Sequence, residues 1–322
     1  MRDKALQYFT TSGITLISAC IISSCSTTNN ATKPLVSSGT APSSRTSLAN
    51  TQLALAQTYE QAGNTKKALS TYASVSKKNP FSAEAAEASF SQARILDSQS
   101  ETSKAFDAYQ ELIKRHPSSK YYGKALKRQE EIAHSTADGV IRNNFLGLKT
   151  KIPTSKIVDM LGHVRDNAPS APSASRAQYT IGQLLHQDDN YVAATEAYQK
   201  MAVDYPSSKE APEALYQRGE ILVLRAEKGN QNKANINSAR DTYNNLIDRY
   251  PNHPRAKDAR ARISSLGGQA IQRKYDTAEF YRKKGQNTSA LFYYNQVRRE
   301  TKSGALHDLA KQRAAELSGS SL

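Results

Sequence analysis

Five times along the chain an alanine is followed four residues later by tyrosine, and three residues after that by an aliphatic or methionine side chain. The copies are Ala68–Tyr72–Val75, Ala105–Tyr109–Leu112, Ala194–Tyr198–Met201, Ala239–Tyr243–Leu246 and Ala290–Tyr294–Val297. In the first four a proline stands five residues further on, at Pro80, Pro117, Pro206 and Pro251. Steps of four and three place all three side chains on one face of a helix. The alanine lets a neighbouring helix approach, the tyrosine fills the space one turn later, and the proline stops the helix. One copy would be an ordinary amphipathic helix. Five in register make the chain an array of like parts, and arrays mostly bind rather than catalyse.

Upstream of each copy lies a second apolar stretch that ends in a turn. In the first copy it is Leu55, Ala56 and Tyr59, then Gly63–Asn64. In the third it is Ile181, Gly182 and Leu185, then Asp188–Asp189–Asn190, and in the last Ala278 and Tyr281, then Gly285–Gln286–Asn287. Helix, turn, helix, proline is the tetratricopeptide pattern, with Tyr in the place often held by Phe. An alanine also stands eight residues after each proline, at Ala88, Ala125, Ala177, Ala214 and Ala259, where it would open the next helix pair. Ile157–Leu161–Val164–Pro169 keeps the spacing with aliphatic residues and reads as a degraded repeat. The long intervals between prolines require insertions near Ser135–Ser155 and Glu227–Asn237. The fold expected is all-α, a helix-turn-helix solenoid of about five to six repeats with a disordered N-terminal lipoprotein tether. The five tyrosines should be core. Gly267–Gly268 reads as a linker between repeats, and His307–Leu317 as a helix capping the last one.

The N-terminus reads as a secretion signal: Arg2 and Lys4, then a short apolar run from about Ile14 to Ile22. That run is shorter than the ~20 apolar residues a transmembrane helix needs. The two cysteines of the chain, Cys20 and Cys25, are both here. Ile22–Ser23–Ser24–Cys25 resembles a bacterial lipobox, which implies acylation of Cys25. Ile17–Ser18–Ala19–Cys20 fits the same pattern, but would leave Ile21 and Ile22 in the tether. Ser26, rather than aspartate, after the lipidated cysteine implies an outer-membrane destination. The expected organisation is a signal at 1–24, a lipidated disordered tether at 25–47 and N-terminal repeats at 48–134. A degraded repeat with insertion follows at 135–175, then C-terminal repeats and a capping helix at 176–322.

Net charge is +15, which suits anionic lipid, acidic proteins or cell-wall polymer as partners. Nucleic acid is not expected of an exported chain without a recognition motif. Mean hydropathy is −0.66, as expected of a thin array with much surface. The six histidines, His116, His134, His163, His186, His253 and His307, form no metal-ligand spacing. There is no nucleophile elbow and no phosphate-binding glycine loop. Glu130–Glu131 and Asp188–Asp189 are adjacent pairs, whose side chains point apart on a helix. No catalytic residue, metal or cofactor is expected.

The first helix of each pair should line a concave groove. Counting from the buried positions gives four sets of candidates: Leu53, Gln57 and Glu60; Phe90, Arg94 and Asp97; Tyr179, Gln183 and His186; Tyr275, Glu279 and Arg282. The partner-binding candidates singled out are Gln57, Phe90, Arg94, Tyr179, Gln183, Tyr275 and Arg282. Apolar anchors with polar followers suit an extended peptide or a partner's loop.

The lipobox at Cys25, the short tether, the array from Leu48 to Leu317 and the junction Tyr205–Pro206–Ser207–Ser208–Lys209–Glu210–Ala211–Pro212–Glu213–Ala214 together resemble BamD-type outer-membrane assembly lipoproteins. The resemblance implies a non-enzymatic scaffold, lipid-anchored on the periplasmic face of the outer membrane, in the machinery that assembles β-barrels. It implies a BamA-like partner bound through C-terminal repeats, other assembly lipoproteins, and unfolded outer-membrane clients received by N-terminal repeats. On that reading Phe90 and Arg94 meet the client, and Tyr275 and Arg282 the scaffold. The long insertion near Ser135–Ser155, the enlarged loop after Arg225 and Lys302 in place of a last proline depart from the pattern. A periplasmic tetratricopeptide coordinator of Tol–Pal, cell-wall or secretion machinery is the alternative. It usually carries an N-terminal coiled coil and no lipobox.

Overall fold

The repeat alanines, tyrosines and third-position residues are all buried: Ala68, Ala105, Ala194, Ala239 and Ala290; Tyr72, Tyr109, Tyr198, Tyr243 and Tyr294; Val75, Leu112, Met201, Leu246 and Val297. So are the five alanines after the prolines. These positions come from a computed structural model that describes residues 43–139, 143–145, 148–229 and 233–319. The signal segment, Cys20, Cys25 and most of the tether lie outside the described residues. Residues 43–47, assigned to the tether from sequence, lie in the first helix.

The described helices run in pairs: α1 (Ser43–Gln61) with α2 (Thr65–Lys78), α3 (Ala83–Ser98) with α4 (Thr102–Arg115), α5 (Tyr122–Ala137) with α6 (Thr154–Asn167), α7 (Pro172–Gln187) with α8 (Tyr191–Asp204) and α9 (Ala211–Lys228) with α10 (Lys233–Arg249). Then come α11 (Pro254–Lys283), α12 (Asn287–Glu300) and α13 (Ala305–Gly319). Each helix packs chiefly on its neighbours in sequence. Residues 44–322 form one compact unit. This is the expected all-α solenoid, with six pairs and a closing helix among the described residues.

The turns inside the pairs follow from local chemistry. Gly63 and Gly285 take left-handed backbone conformations, which glycine adopts without strain. The side chains of Asn64, Ser82 and Asn190 accept backbone N–H groups at the starts of α2, α3 and α8. Pro80, Pro117, Pro169, Pro206 and Pro251 each stand just beyond the end of a second helix.

Several expectations are corrected. Gly267–Gly268 is no linker: both glycines lie inside α11, one continuous helix of 30 residues. Glu227–Asn237 is mostly helix, split between the end of α9 and the start of α10. The extra length lengthens two helices rather than a loop. The boundary at 134/135 falls within α5, and the inserted stretch after it contains a short antiparallel hairpin, β1 (Asn143–Phe145) with β2 (Leu148–Thr150). Ile152, just past the hairpin, is buried in the same core cluster as Ile157 and Leu161 of the degraded repeat. Leu55 is exposed, and Leu53 takes its place in the core. In α13 the burial comes from Ala310 and Ala314, while Leu309 stays exposed.

Candidate functional site: the first-helix face

A buried small residue stands sixteen positions before four of the repeat tyrosines: Ala56, Ala93 and Ala278 share a core cluster with Tyr72, Tyr109 and Tyr294, and Gly182 lies directly against Tyr198. The remaining copy uses Gly219 below Tyr243, because the lengthened helices add to the interval. A Cβ on Gly182 would lie 2.6 Å from the Tyr198 ring, and one on Gly219 would lie 2.3 Å from the Tyr243 ring. A side chain at either position would force the ring or the helix to shift, and glycine permits the close approach.

Three residues before each of these small residues stands the leading member of the first-helix face. Phe90 meets Tyr109 at 6.0 Å between ring centres, Tyr179 meets Tyr198 at 5.8 Å, Tyr216 meets Tyr243 at 6.0 Å and Tyr275 meets Tyr294 at 5.7 Å. Such pairs contribute about 0.5–1.5 kcal/mol each beyond their area. Phe90 also stacks on Tyr121 at 4.9 Å. These leading aromatics are half-buried, and two of them are covered further, Phe90 by Tyr121 and Tyr216 by the Arg255 guanidinium 4.3 Å from its ring centre. Leu53, proposed for the groove, is buried in the first core cluster. The sequence-based set lacks Tyr216. Its signal is legible all the same: it precedes Gly219 by three residues, as Tyr179 precedes Gly182.

Charged residues tie α1 to α3, α3 to α5, α9 to α11 and α11 to α13, each time in one direction. An acid on the earlier helix meets an arginine on the later one. Glu60 pairs with Arg94, Asp97 with Arg128 at 2.6 Å, Glu213 with Arg255 at 2.6 Å, Glu220 with Arg262, and Glu279 with Arg313 at 3.6 Å. The Arg128 and Arg255 contacts are two-pronged, each with a second hydrogen bond at 3.0 Å. Three of these five acids also accept a repeat hydroxyl: Tyr72 donates to Glu60 at 2.8 Å, Tyr243 to Glu220 at 2.5 Å and Tyr294 to Glu279 at 2.5 Å. Burial, then the bond to Glu60, pushes the Tyr72 hydroxyl up to about 12. Burial alone is the main cause of the same rise in Tyr109 and Tyr179. Burial opposes ionisation of Glu220, but hydrogen bonds from Arg262 and Tyr243 outweigh it and hold the carboxyl below its usual range.

The named candidates therefore separate by role. Gln57 is half-buried and donates to Glu87 on the next first helix at 3.0 Å. Arg94 holds Glu60 while its side chain stays 53% exposed. Arg282 holds Glu279 on its own helix at 2.8 Å. Gln183 is half-buried in α7, one turn beyond Tyr179. The arrangement brings half-buried aromatic rings and paired charges onto one series of helices. Among the described residues no cluster of His, Cys, Asp or Glu could hold a metal ion. No described helix is long and apolar enough to cross a membrane.

Residues 154–305 match the model of the YfiO family, described as outer membrane lipoprotein, and residues 53–120 match a tetratricopeptide repeat family. A curated relative, outer membrane protein assembly factor BamD of Caulobacter vibrioides, is 24% identical over 172 residues, which are 53% of each chain. The chain thus spans about half the length of that relative. Among solved structures, Pseudomonas aeruginosa pilF is 15% identical, with a TM-score of 0.27 over 84% of this chain and 99% of that one. The P58(IPK) TPR domain is 13% identical, with a TM-score of 0.34 over 84% and 78%. The chain is thus similar to a tetratricopeptide repeat family over residues 53–120, to the outer membrane lipoprotein family from residue 154 to residue 305, and to its BamD relative over 172 residues.

Proposed function

We propose that the chain is a non-enzymatic scaffold lipoprotein of the outer-membrane β-barrel assembly machinery, which binds partner proteins through its first-helix face. One observation carries the reading: the array's second half matches the outer membrane lipoprotein family. The half-buried rings of Tyr179, Tyr216 and Tyr275 stand along its first helices and are compatible with it. The acid–arginine ladder pre-organises the helices it joins, so little ordering entropy is left to lose on binding. In this reading Phe90 and Arg94 contact an unfolded client. Tyr275 and Arg282 contact a BamA-like barrel protein, and Tyr179 and Gln183, now joined by Tyr216, line the surface between. Cys25 carries the acyl anchor that holds the chain at the periplasmic face of the outer membrane.

The test is a gently solubilised pull-down from the native envelope. A BamA-type barrel protein should be recovered, and Tyr275→Ala with Arg282→Ala should reduce that recovery several-fold while the helical content stays unchanged. Recovery of Tol–Pal or secretin components alone would reject the assembly role.

A further inference from the structure

Four aromatic rings form a continuous chain at the tip of the hairpin made by α11 and α12. Tyr281 and Tyr293 are half-buried and stack across the hairpin, 5.6 Å apart and nearly parallel. Phe280 stands edge-on to Tyr281 at 5.5 Å, and Phe292 stands edge-on to Tyr293 at 5.3 Å. These two outer rings are 56% and 54% exposed. They contribute nothing to the core cluster behind them, in which Tyr281 and Tyr293 are the packed members. Two exposed phenylalanines supported on one tyrosine pair form a patch rather than scattered surface residues.

The charge around the patch is mostly positive. Residues 273–302 hold eight Lys and Arg against three Asp and Glu. Each of those acids already has a basic or amide partner: Glu279 has Arg282, Glu300 has Lys274, and Asp276 has Gln272. Lys283 and Lys284 are exposed at the end of α11, beside the turn, and form no ion pair with another described residue. The Lys284 ammonium lies 5.9 Å from the centre of the Phe280 ring.

We propose that this hairpin tip docks on an anionic lipid surface. Exposed Phe rings flanked by lysine are what a headgroup layer accommodates: the rings enter the acyl boundary, and the ammonium groups stay at the phosphates on flexible stems. The cores of protein interfaces, by contrast, are depleted of lysine. The patch lies at the surface of two amphipathic helices that do not span a bilayer, so the contact is peripheral. It gives the last helix pair an attachment of its own.

The absence of tryptophan from the chain makes the test direct. Phe280→Trp and Phe292→Trp, each in the full chain carrying Cys25→Ser, place one reporter at the patch. Val203→Trp places a control at an exposed position on α8. Vesicles of brominated phosphatidylcholine, with and without phosphatidylglycerol, serve as the membrane. The patch reporters should shift to the blue and be quenched on the anionic vesicles only, with the control unchanged. Lys283→Glu with Lys284→Glu should lower the partition coefficient at least about tenfold, since each juxtamembrane lysine is worth ~1 kcal/mol. Unquenched patch reporters, or equal quenching of the control, would overturn the proposal. A photocrosslinker at position 280 that yields only protein adducts in the intact envelope would assign the patch to a protein partner instead.

Discussion

A buried ring needs a floor, and here the floor is a residue with little or no side chain. Tyr243 rests on Gly219 so closely that a Cβ would lie 2.3 Å from the ring. Gly219→Ala should therefore destabilise the protein by about 1–3 kcal/mol through overpacking, read from denaturant midpoints. Ala56, Ala93 and Ala278 hold the corresponding place in three other repeats and are buried in the clusters of Tyr72, Tyr109 and Tyr294. A second residue-scale test concerns His134. It is buried in α5 with Nε2 lacking a hydrogen-bond partner. Burial, assisted by Arg176 and opposed by Asp138, pulls its pKa from 6.5 down to about 4. As pH falls the unfolded chain takes up this proton first. The stabilisation from His134 is complete above pH 6.5 and is lost between there and about pH 4, on the order of 1–3 kcal/mol. His134→Gln should flatten the stability–pH curve in that window; an unchanged slope would assign the acid sensitivity to other groups. The alanine–tyrosine–aliphatic triplets are readable because a residue on the buried face recurs at helical spacing. Tyr216 escapes the same reading, because the longer interval in its repeat looks like a loop.

At the scale of elements, α11 departs furthest from a repeat of standard length. Its first half, with Ala256, Ala259 and Leu266, belongs to the core cluster shared with α9 and α10. Its second half, with Ala278, belongs to the cluster of α12 and α13. Gly267 and Gly268 sit where the helix passes from one to the other, and a Cβ on either would meet nothing within 4 Å. Glycine is the usual sign of a break, and two in a row read as a linker. The packing of both halves overrides that local preference, at a cost of about 0.5–1 kcal/mol per glycine relative to alanine. Gly267→Ala with Gly268→Ala should accordingly raise the thermal midpoint, the opposite sign to Gly219→Ala. A fall would mean the helix needs to bend there. The ladder of acids and arginines is also an element-scale device. Each exposed rung contributes only ~0–1 kcal/mol, but all rungs run the same way and keep the helices they join in register.

Over the whole molecule, the hydrophobic core is a series of clusters rather than one centre. In such a series stability is nearest-neighbour and can be lost locally. Ala310→Asp, which places a charge in the last cluster, should strip hydrogen-exchange protection from α12 and the second half of α11 while α7 to α9 keep theirs. Uniform loss would show that the array unfolds as one unit.

The sequence by itself determined the repeat, the pairing of helices and the identity of the buried tyrosines. All of these follow from period and from proline, which act over a few residues. Only the tertiary structure decided that Leu53 is core, that Gly267–Gly268 is helical, and that Arg94 and Glu60 hold each other rather than standing open. Those outcomes depend on what the next helix brings across, and the partner lies some thirty residues away in the chain, beyond the reach of any local pattern.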